Sequence, residues 1–381
     1  MRPLLHAALS VALSVASLGC GAKTGLRVPD VETFDDAAID APDVADVPDV
    51  PDVVDRPVVR GCVPGRFSLQ GRAADLVLVV DRSGSMNQNL GASRGTSRWR
   101  LLRDALAATL PVYQDTINVG ALFYPEDGAA SRTSACTFPN LPEVDLRPAR
   151  GNAPRVLQVF DDTRPGGATP TAAALLRAYT WIVRNPDPFR ARYIVLATDG
   201  GPNCNSGLDA RTCVCVGGGR GCRGDATQCL DDARAVDTVR QIANNAVSQV
   251  PTYVLGISGD NDPAYEATLT SMAIAGGRPN RSASGAPTYY DARQPEDLSR
   301  AFSAIQNAIA RCTFIAPSRP SDADAVTLTV NGVSVARDTT RVAGWDWTDR
   351  AAGEITLFGS ACPADASPST VVTATVECRD R

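Results

Sequence analysis

Leu76–Met86 reads LVLVVDRSGSM, and this stretch decides the fold. The five apolar residues from Leu76 to Val80 form a run short enough for a strand buried on both faces, as in a parallel sheet. The run ends at Asp81, and the chain then turns through Arg82, Ser83, Gly84 and Ser85. A carboxylate and two hydroxyls therefore stand at alternate positions just past the carboxyl end of a central strand. In open α/β sheets that edge is where ligands bind. Oxygen-only donors suit a hard cation such as Mg2+, which often keeps several of its waters.

Taken alone, Ser-Gly-Ser reads as a plain turn. DRSGSM, however, resembles the D-x-S-x-S motif of the von Willebrand factor A (VWA) domain, whose metal site is called MIDAS. That family completes the site with a Thr on a second loop and an Asp on a third. Thr169 lies in GGATPT, and Asp199 lies in YIVLATDGGPN after the apolar strand Tyr193–Ala197. Three loops in the family's order make the signal specific.

The resemblance covers roughly residues 62 to 312, since YVLGIS, SMAIAGG and DLSRAFSAI also look like the end of secreted bacterial VWA domains. It implies an α/β, Rossmann-like domain with a mostly parallel central sheet and helices on both faces. It further implies that Ser83, Ser85 and Thr169 offer hydroxyl oxygens, while Asp81 and Asp199 bind Mg2+ (or Mn2+ or Ca2+) directly or through water. Such an ion keeps a position open to water, which an acidic side chain of a partner protein would displace.

Hydrophobic residues make up 44 % of the 381, as in an ordinary globular chain longer than one average domain. Net charge is −5, and no basic patch with interleaved aromatics marks a nucleic-acid surface. The single histidine is His6, in the leader. The rest of the chain thus lacks the residue needed for Ser-His-Asp or Cys-His catalysis and for imidazole metal sites. A hydrolase built on Ser85 would have no activating base, so the chain is expected not to be an enzyme.

Residues 1–20 have the form of a bacterial lipoprotein signal peptide, with Arg2, an apolar run from Leu4 to Leu18, and Ser17-Leu18-Gly19-Cys20 resembling a lipobox. Cys20 is the lipid acceptor in that reading. Ser17 replaces the usual aliphatic residue, which leaves ordinary signal cleavage as the alternative. A lipid would attach the chain to a membrane without spanning it. Gly21 rather than Asp after Cys20 resembles lipoproteins sorted to an outer membrane. Residues 21–60 repeat Asp-Val-Pro units, whose prolines and mutually repelling carboxylates favour an extended spacer over a calcium loop.

Within the expected VWA domain, 61–315, helical spacing covers Ser97–Leu110, the segment after Thr169-Pro170, Asp232–Ser248, Ala264–Ala273 and Pro295–Arg311. Strands are expected at Ile117–Tyr124, Thr252–Ile257 and Thr288–Tyr290, and Pro125–Phe160 reads as an irregular excursion. Of 11 cysteines, ten remain after Cys20, compatible with five disulfides in an exported protein. Related VWA domains often tie their two ends together, which implies Cys62–Cys312. Cys362 and Cys378, alone in the tail, are expected to pair there. Cys136, Cys204, Cys213, Cys215, Cys222 and Cys229 have no connectivity legible in sequence. Five of those six lie in the glycine-rich insertion 202–230, where disulfides are favoured over a thiolate zinc site because C-x-x-C spacing is missing. Arg223-Gly224-Asp225 in this loop reads as a chance tripeptide.

Residues 316–381 alternate as strands, with Asn331-Gly332 a hairpin turn, and are expected to form a small β unit packed on Trp345 or Trp347. The preferred function is a surface protein of the bacterial envelope, in adhesion or assembly, that grips a protein partner through the metal. The alternative is an envelope scaffold with a purely structural metal, contacting partners through the cysteine-rich loop or the β unit.

Overall fold

The computed structural model describes residues 62–378 apart from 72, 92–94, 114–115, 128–134, 185–189, 217–221, 258–261, 281–287, 351–352 and 363–369. The leader, Cys20 and the Asp/Pro/Val-rich spacer lie outside the described residues. Among the described residues no helix is long and apolar enough to cross a membrane.

After strand β1 (Gly65–Gly71) comes β2 (Ala74–Asp81), which contains the apolar run and is buried at all eight positions. Helix α1 (Arg98–Thr109) follows, with the Ser97 side chain capping it by accepting from the Arg100 N–H. Then come β3 (Ile117–Tyr124), β4 (Val144–Pro148), α2 (Ala149–Asp162), α3 (Thr171–Ile182) and β5 (Ala191–Thr198). The remainder of this half is α4 (Asp232–Ala243), β6 (Thr252–Ile257), α5 (Pro263–Ala275), β7 (Tyr290–Ala292) and α6 (Pro295–Arg311). The six strands order as β4-β3-β2-β5-β6-β7, with β2 central and only the edge strand β4 antiparallel.

The alternation of side chains along β2 explains why both faces are covered. Leu76, Leu78 and Val80 join one core with Leu102 and Leu106 of α1, Phe160 of α2 and Phe302 and Ile305 of α6. Val77 and Val79 point the other way, into a core with Leu175 of α3, Val239 of α4 and Leu269 of α5. Each fully buried Leu or Ile contributes about 1.5–3 kcal/mol, so both layers hold β2 in the middle. This is the expected α/β architecture.

Two local expectations need correction. The stretch Pro125–Phe160 is not irregular throughout, because it supplies β4 and α2. Pro154 sits inside α2 and masks the helical signal; its ring faces outward, with the buried Val156 and Phe160 on the core side. Helix α4 stops at Ala243 rather than running to Ser248, and Val247 is left 91 % exposed, so its apolar spacing had no face to bury.

The tail supplies β9 (Val326–Val330), β10 (Val333–Val335), β11 (Gly344–Asp349), β12 (Glu354–Phe358) and β13 (Val372–Val376), after β8 (Thr313–Ile315). Asn331 and Gly332 take φ of 50° and 82°, the left-handed pair that joins β9 to β10. These strands do not close on themselves. The antiparallel sheet runs β10-β9-β13-β1-β8-β12-β11, with β1 from before the α/β fold and β8 directly after α6 inserted at its middle. Trp345 and Trp347 are both buried in its core, as expected, and the Trp347 indole N–H donates to the Ala323 carbonyl. Arg278, just after α5, pairs with the buried Glu354 of β12 at 3.4 Å and stacks on the Tyr193 ring of β5.

The disulfides correct the expected terminal pairing. Cys62 bonds Cys378 and Cys312 bonds Cys362, in place of Cys62–Cys312 and Cys362–Cys378. The reason is the interleaved sheet: β1 lies directly against β13, bringing Cys62 to the end of the chain, while β8 lies against β12 and brings Cys312 to Cys362. The other pairs are Cys136–Cys204, Cys213–Cys229 and Cys215–Cys222. Sulfurs of Cys213, Cys222 and Cys229 crowd together, but each is already bonded to carbon and sulfur and none is a thiolate for zinc.

Candidate metal centre

Parallel register places Asp81 at the end of β2 beside Tyr124 on one side, and Val80 beside Ala197 on the other, so Asp81 and the Thr198-Asp199 corner emerge from neighbouring strands. The Asp81 carboxylate accepts from the Ser83 N–H at 2.8 Å and from the Thr198 hydroxyl at 2.6 Å. Ser83 Oγ lies 2.9 Å from Ser85 Oγ, and Ser85 donates to Asp199 Oδ1 at 2.8 Å. Thr169 reaches the same point from the second loop: a Cβ added at Gly200 would lie 3.6 Å from both Ser85 Oγ and Thr169 Oγ1. All five residues expected at the site, Asp81, Ser83, Ser85, Thr169 and Asp199, thus converge around one small cradle that Gly200 leaves open.

Backbone contacts hold the three loops together. Gly84 N–H donates to the Gly167 carbonyl at 3.1 Å and Gly166 N–H to the Arg82 carbonyl at 2.8 Å, tying the first loop to the second. Arg82, itself buried, donates to the Pro125 carbonyl and to Glu143 and packs over Phe123, so the residue between Asp81 and Ser83 anchors the turn to the end of β3.

Burial sets the charge state. Asp81 has no exposed surface, and desolvation, reinforced by the nearby Asp199 charge, pushes its carboxyl up to about 7. Burial also raises Asp199, against the pull of the Arg98 guanidinium and the Ser85 hydroxyl. Two carboxylates drawn out of water in one cradle favour a cation. The all-oxygen donor set of Ser83, Ser85, Thr169, Asp81 and Asp199 fits a hard divalent ion rather than a soft one.

Three residues that sequence reasoning missed complete the surroundings. Thr198 holds Asp81, Arg98 pairs with Asp199, and Asn203 clamps Thr169: its side-chain oxygen accepts from the Thr169 N–H at 2.8 Å, while its own N–H donates to the Thr169 carbonyl at 2.9 Å. Thr198 and Asn203 both lie in the quoted YIVLATDGGPN stretch around Asp199, whereas Arg98 has no such cue. Next to Asn203, Cys204 takes a left-handed φ of 74°, a strained conformation kept by its bond to Cys136 and by its N–H donating to the Thr227 carbonyl. Ala168 N–H in turn donates to the Ala135 carbonyl, so the Cys136–Cys204 bridge braces both sides of Thr169. The insertion therefore begins as part of the site. Farther out, Asp225 of the Arg-Gly-Asp tripeptide caps a short turn by accepting from Thr227.

Asn203→Ala is expected to weaken divalent-ion affinity about tenfold and lower stability by about 1–3 kcal/mol, because the buried Thr169 N–H loses its acceptor. Titration calorimetry beside thermal unfolding measures both.

The family model described as von Willebrand factor type A domain matches residues 76–202, which includes all three loops. No curated protein sequence matches the chain. Among solved structures the chain is similar to the PilB minor pilin from Streptococcus sanguinis, at 19 % identity and a TM-score of 0.44, covering 63 % of this chain and 62 % of that one. It is also similar to the pilus adhesin SpaC from Lactobacillus rhamnosus GG, at 15 % identity and a TM-score of 0.45, covering 81 % and 40 %. A third is the manganese-loaded Plasmodium vivax TRAP protein, at 18 % identity and a TM-score of 0.40, covering 65 % and 78 %. The chain therefore spans about three fifths of PilB and two fifths of SpaC.

Proposed function

We propose that the von Willebrand factor type A segment of this chain binds one divalent ion, Mg2+ or Mn2+, and uses it to grip an acidic group on a protein partner. The observation that carries this reading is the run of contacts from Asp81 through Ser83 and Ser85 to Asp199, with the Thr169 hydroxyl in the same cradle. Ser83, Ser85 and Thr169 would hold the ion with neutral oxygens, and Asp81 and Asp199 would supply charge directly or through water. The ion supplies Lewis acidity toward an incoming carboxylate oxygen. This chain's residues orient it and keep it at the loop edge, where a partner has access.

The reading is one of binding and not of catalysis. Ser85, the hydroxyl weighed above as a nucleophile, donates to Asp199, and Asp199 is engaged on its other oxygen by Arg98, so Asp199 is not poised as its base. Export to an oxidising compartment agrees with five disulfides among the described residues. A lipid on Cys20 and a role in adhesion or envelope assembly belong to the same proposal.

The test is titration of Mn2+ into the purified mature chain beside a Ser83→Ala, Ser85→Ala double variant. About one ion bound by the parent, with affinity lowered at least a hundredfold in the folded variant, is the expected result. A folded parent that binds neither Mn2+ nor Mg2+ would sink the reading.

A further inference from the structure

Four cysteines of the insertion bring their sulfurs to one place. Cys213 bonds Cys229 and Cys215 bonds Cys222, yet Cys213 Sγ also lies 3.2 Å from Cys222 Sγ of the other bridge. The sulfurs of Cys213, Cys222 and Cys229 all fall within 4.8 Å of one another. Backbone pairing brings in the fourth residue, Cys215. The Val216 N–H donates to the Gln228 carbonyl at 3.0 Å, and the Leu230 N–H to the Val214 carbonyl at 2.8 Å. Cys215 and Cys229 are thereby directly opposed, non-hydrogen-bonded partners in a short antiparallel ribbon. Such partners have Cα atoms about 4.5 Å apart, a distance that a disulfide can span. The backbone therefore admits a second pairing of the same four residues, Cys213–Cys222 with Cys215–Cys229.

We propose that the insertion is a thiol–disulfide exchange site, whose two bridges interconvert between these pairings when a small external thiol enters. Cys222 and Cys229 are buried, whereas Cys213 and Cys215 are half-buried, so entry falls on the latter two. An external thiolate attacks Cys215 Sγ, forms a mixed disulfide with it and expels the Cys222 thiolate. Cys222 then attacks Cys213 Sγ, 3.2 Å away, and expels the Cys229 thiolate. Cys229 attacks Cys215 Sγ across the ribbon, which closes Cys215–Cys229 and returns the external thiolate. Two S–S bonds are present before and after, nothing is oxidised or reduced, and the external thiol acts as a catalyst. The exchange is placed where a partner at the metal edge would meet it. The ribbon packs on Gly201, two residues past Asp199, where an added Cβ would lie 2.7 Å from Leu230 and 3.6 Å from Val216. In the second pairing this ribbon is stapled across its own two strands, so the wall beside Gly201 has two covalent forms. None of these steps needs a metal ion.

The test incubates the purified mature chain, folded and without denaturant, in a buffer containing reduced glutathione. Exchange is stopped with acid and N-ethylmaleimide, and the bridges are mapped without reduction. Elastase cutting after Val214 separates Cys213 from Cys215, and trypsin cutting after Arg223 separates Cys222 from Cys229. Both pairings should be recovered, the minor one at about a tenth of the total. Cys62–Cys378, Cys136–Cys204 and Cys312–Cys362 should stay intact. A single pairing after prolonged incubation overturns the proposal, and so does scrambling that draws in any of those three bridges. Cys215→Ser supplies a second measurement that needs no external thiol, because it leaves Cys222 free beside Cys213. The folded variant should contain Cys213–Cys222 as well as Cys213–Cys229; Cys213–Cys229 alone would count against exchange in the same way.

Discussion

Replacing Asp81 by Asn is expected to abolish Mn2+ binding and, above pH 7, to stabilise the metal-free protein. The two effects come from one cause. Asp81 is fully buried at the end of the central strand, and desolvation beside Asp199 raises its carboxyl to about 7. In the unfolded chain the same group titrates near its ordinary value of 3.8. Between those two values the folded state holds a proton that the unfolded state has released. Stability of the metal-free protein should therefore fall as pH rises through that window, by about 1.4 kcal/mol per pH unit, and level off above it. Asn keeps the useful contacts without the charge. Its carbonyl oxygen can accept from the Ser83 N–H, and its amide can donate to Thr198, whose hydroxyl then turns to the Gly200 carbonyl.

A bound divalent ion should reverse the trend, because it displaces the proton and repays the buried charge; its affinity should fall as pH drops below 7. Thermal unfolding across pH in chelator and in saturating Mn2+ gives both curves. A metal-free parent whose stability rises from pH 4 to pH 7 would contradict the account of Asp81.

Converting Cys62 and Cys378 together to Ser is expected to cost about 4–5 kcal/mol of stability without changing metal affinity. That bridge closes a sequence separation of 316 residues, so its removal frees nearly the whole described chain in the unfolded state. It also pins β1 against β13, at the middle of the second sheet. The metal cradle lies on the other sheet, held by its own backbone ties, and should keep its affinity while the unfolding midpoint falls. Peptide mapping without reduction gives an independent check. It should recover Cys62 joined to Cys378 and Cys312 joined to Cys362; a Cys62–Cys312 peptide would refute the interleaved sheet.

The central strand, the order of the three loops and the oxygen character of the site were legible in residues alone. Leu76 to Val80 form an apolar run of the length of a strand buried on both faces, as in a parallel sheet, and alternation along a strand is a local property. The same holds for Asn331-Gly332, whose turn needs only two adjacent residues that tolerate positive φ. Helix α2 was not legible, because Pro154 reads as a breaker unless the outward direction of its ring is known.

What only the tertiary structure decided depends on residues far apart in the chain. Cys62 and Cys312 each stand at an end of the α/β fold, and family resemblance joined them. The actual partners follow from β1 and β8 entering a sheet made mostly of later strands, a pairing that no local pattern encodes. The surroundings of the metal cradle are non-local in the same sense. Arg98 lies 101 positions from Asp199 and Asn203 lies 34 from Thr169, so neither residue's own neighbourhood says which group it contacts. Sequence determined which atoms could hold an ion. Folding determined the charge around them, because burial turns an ordinary Asp81 into a raised one and an ordinary Arg98 into a permanent neighbour of Asp199.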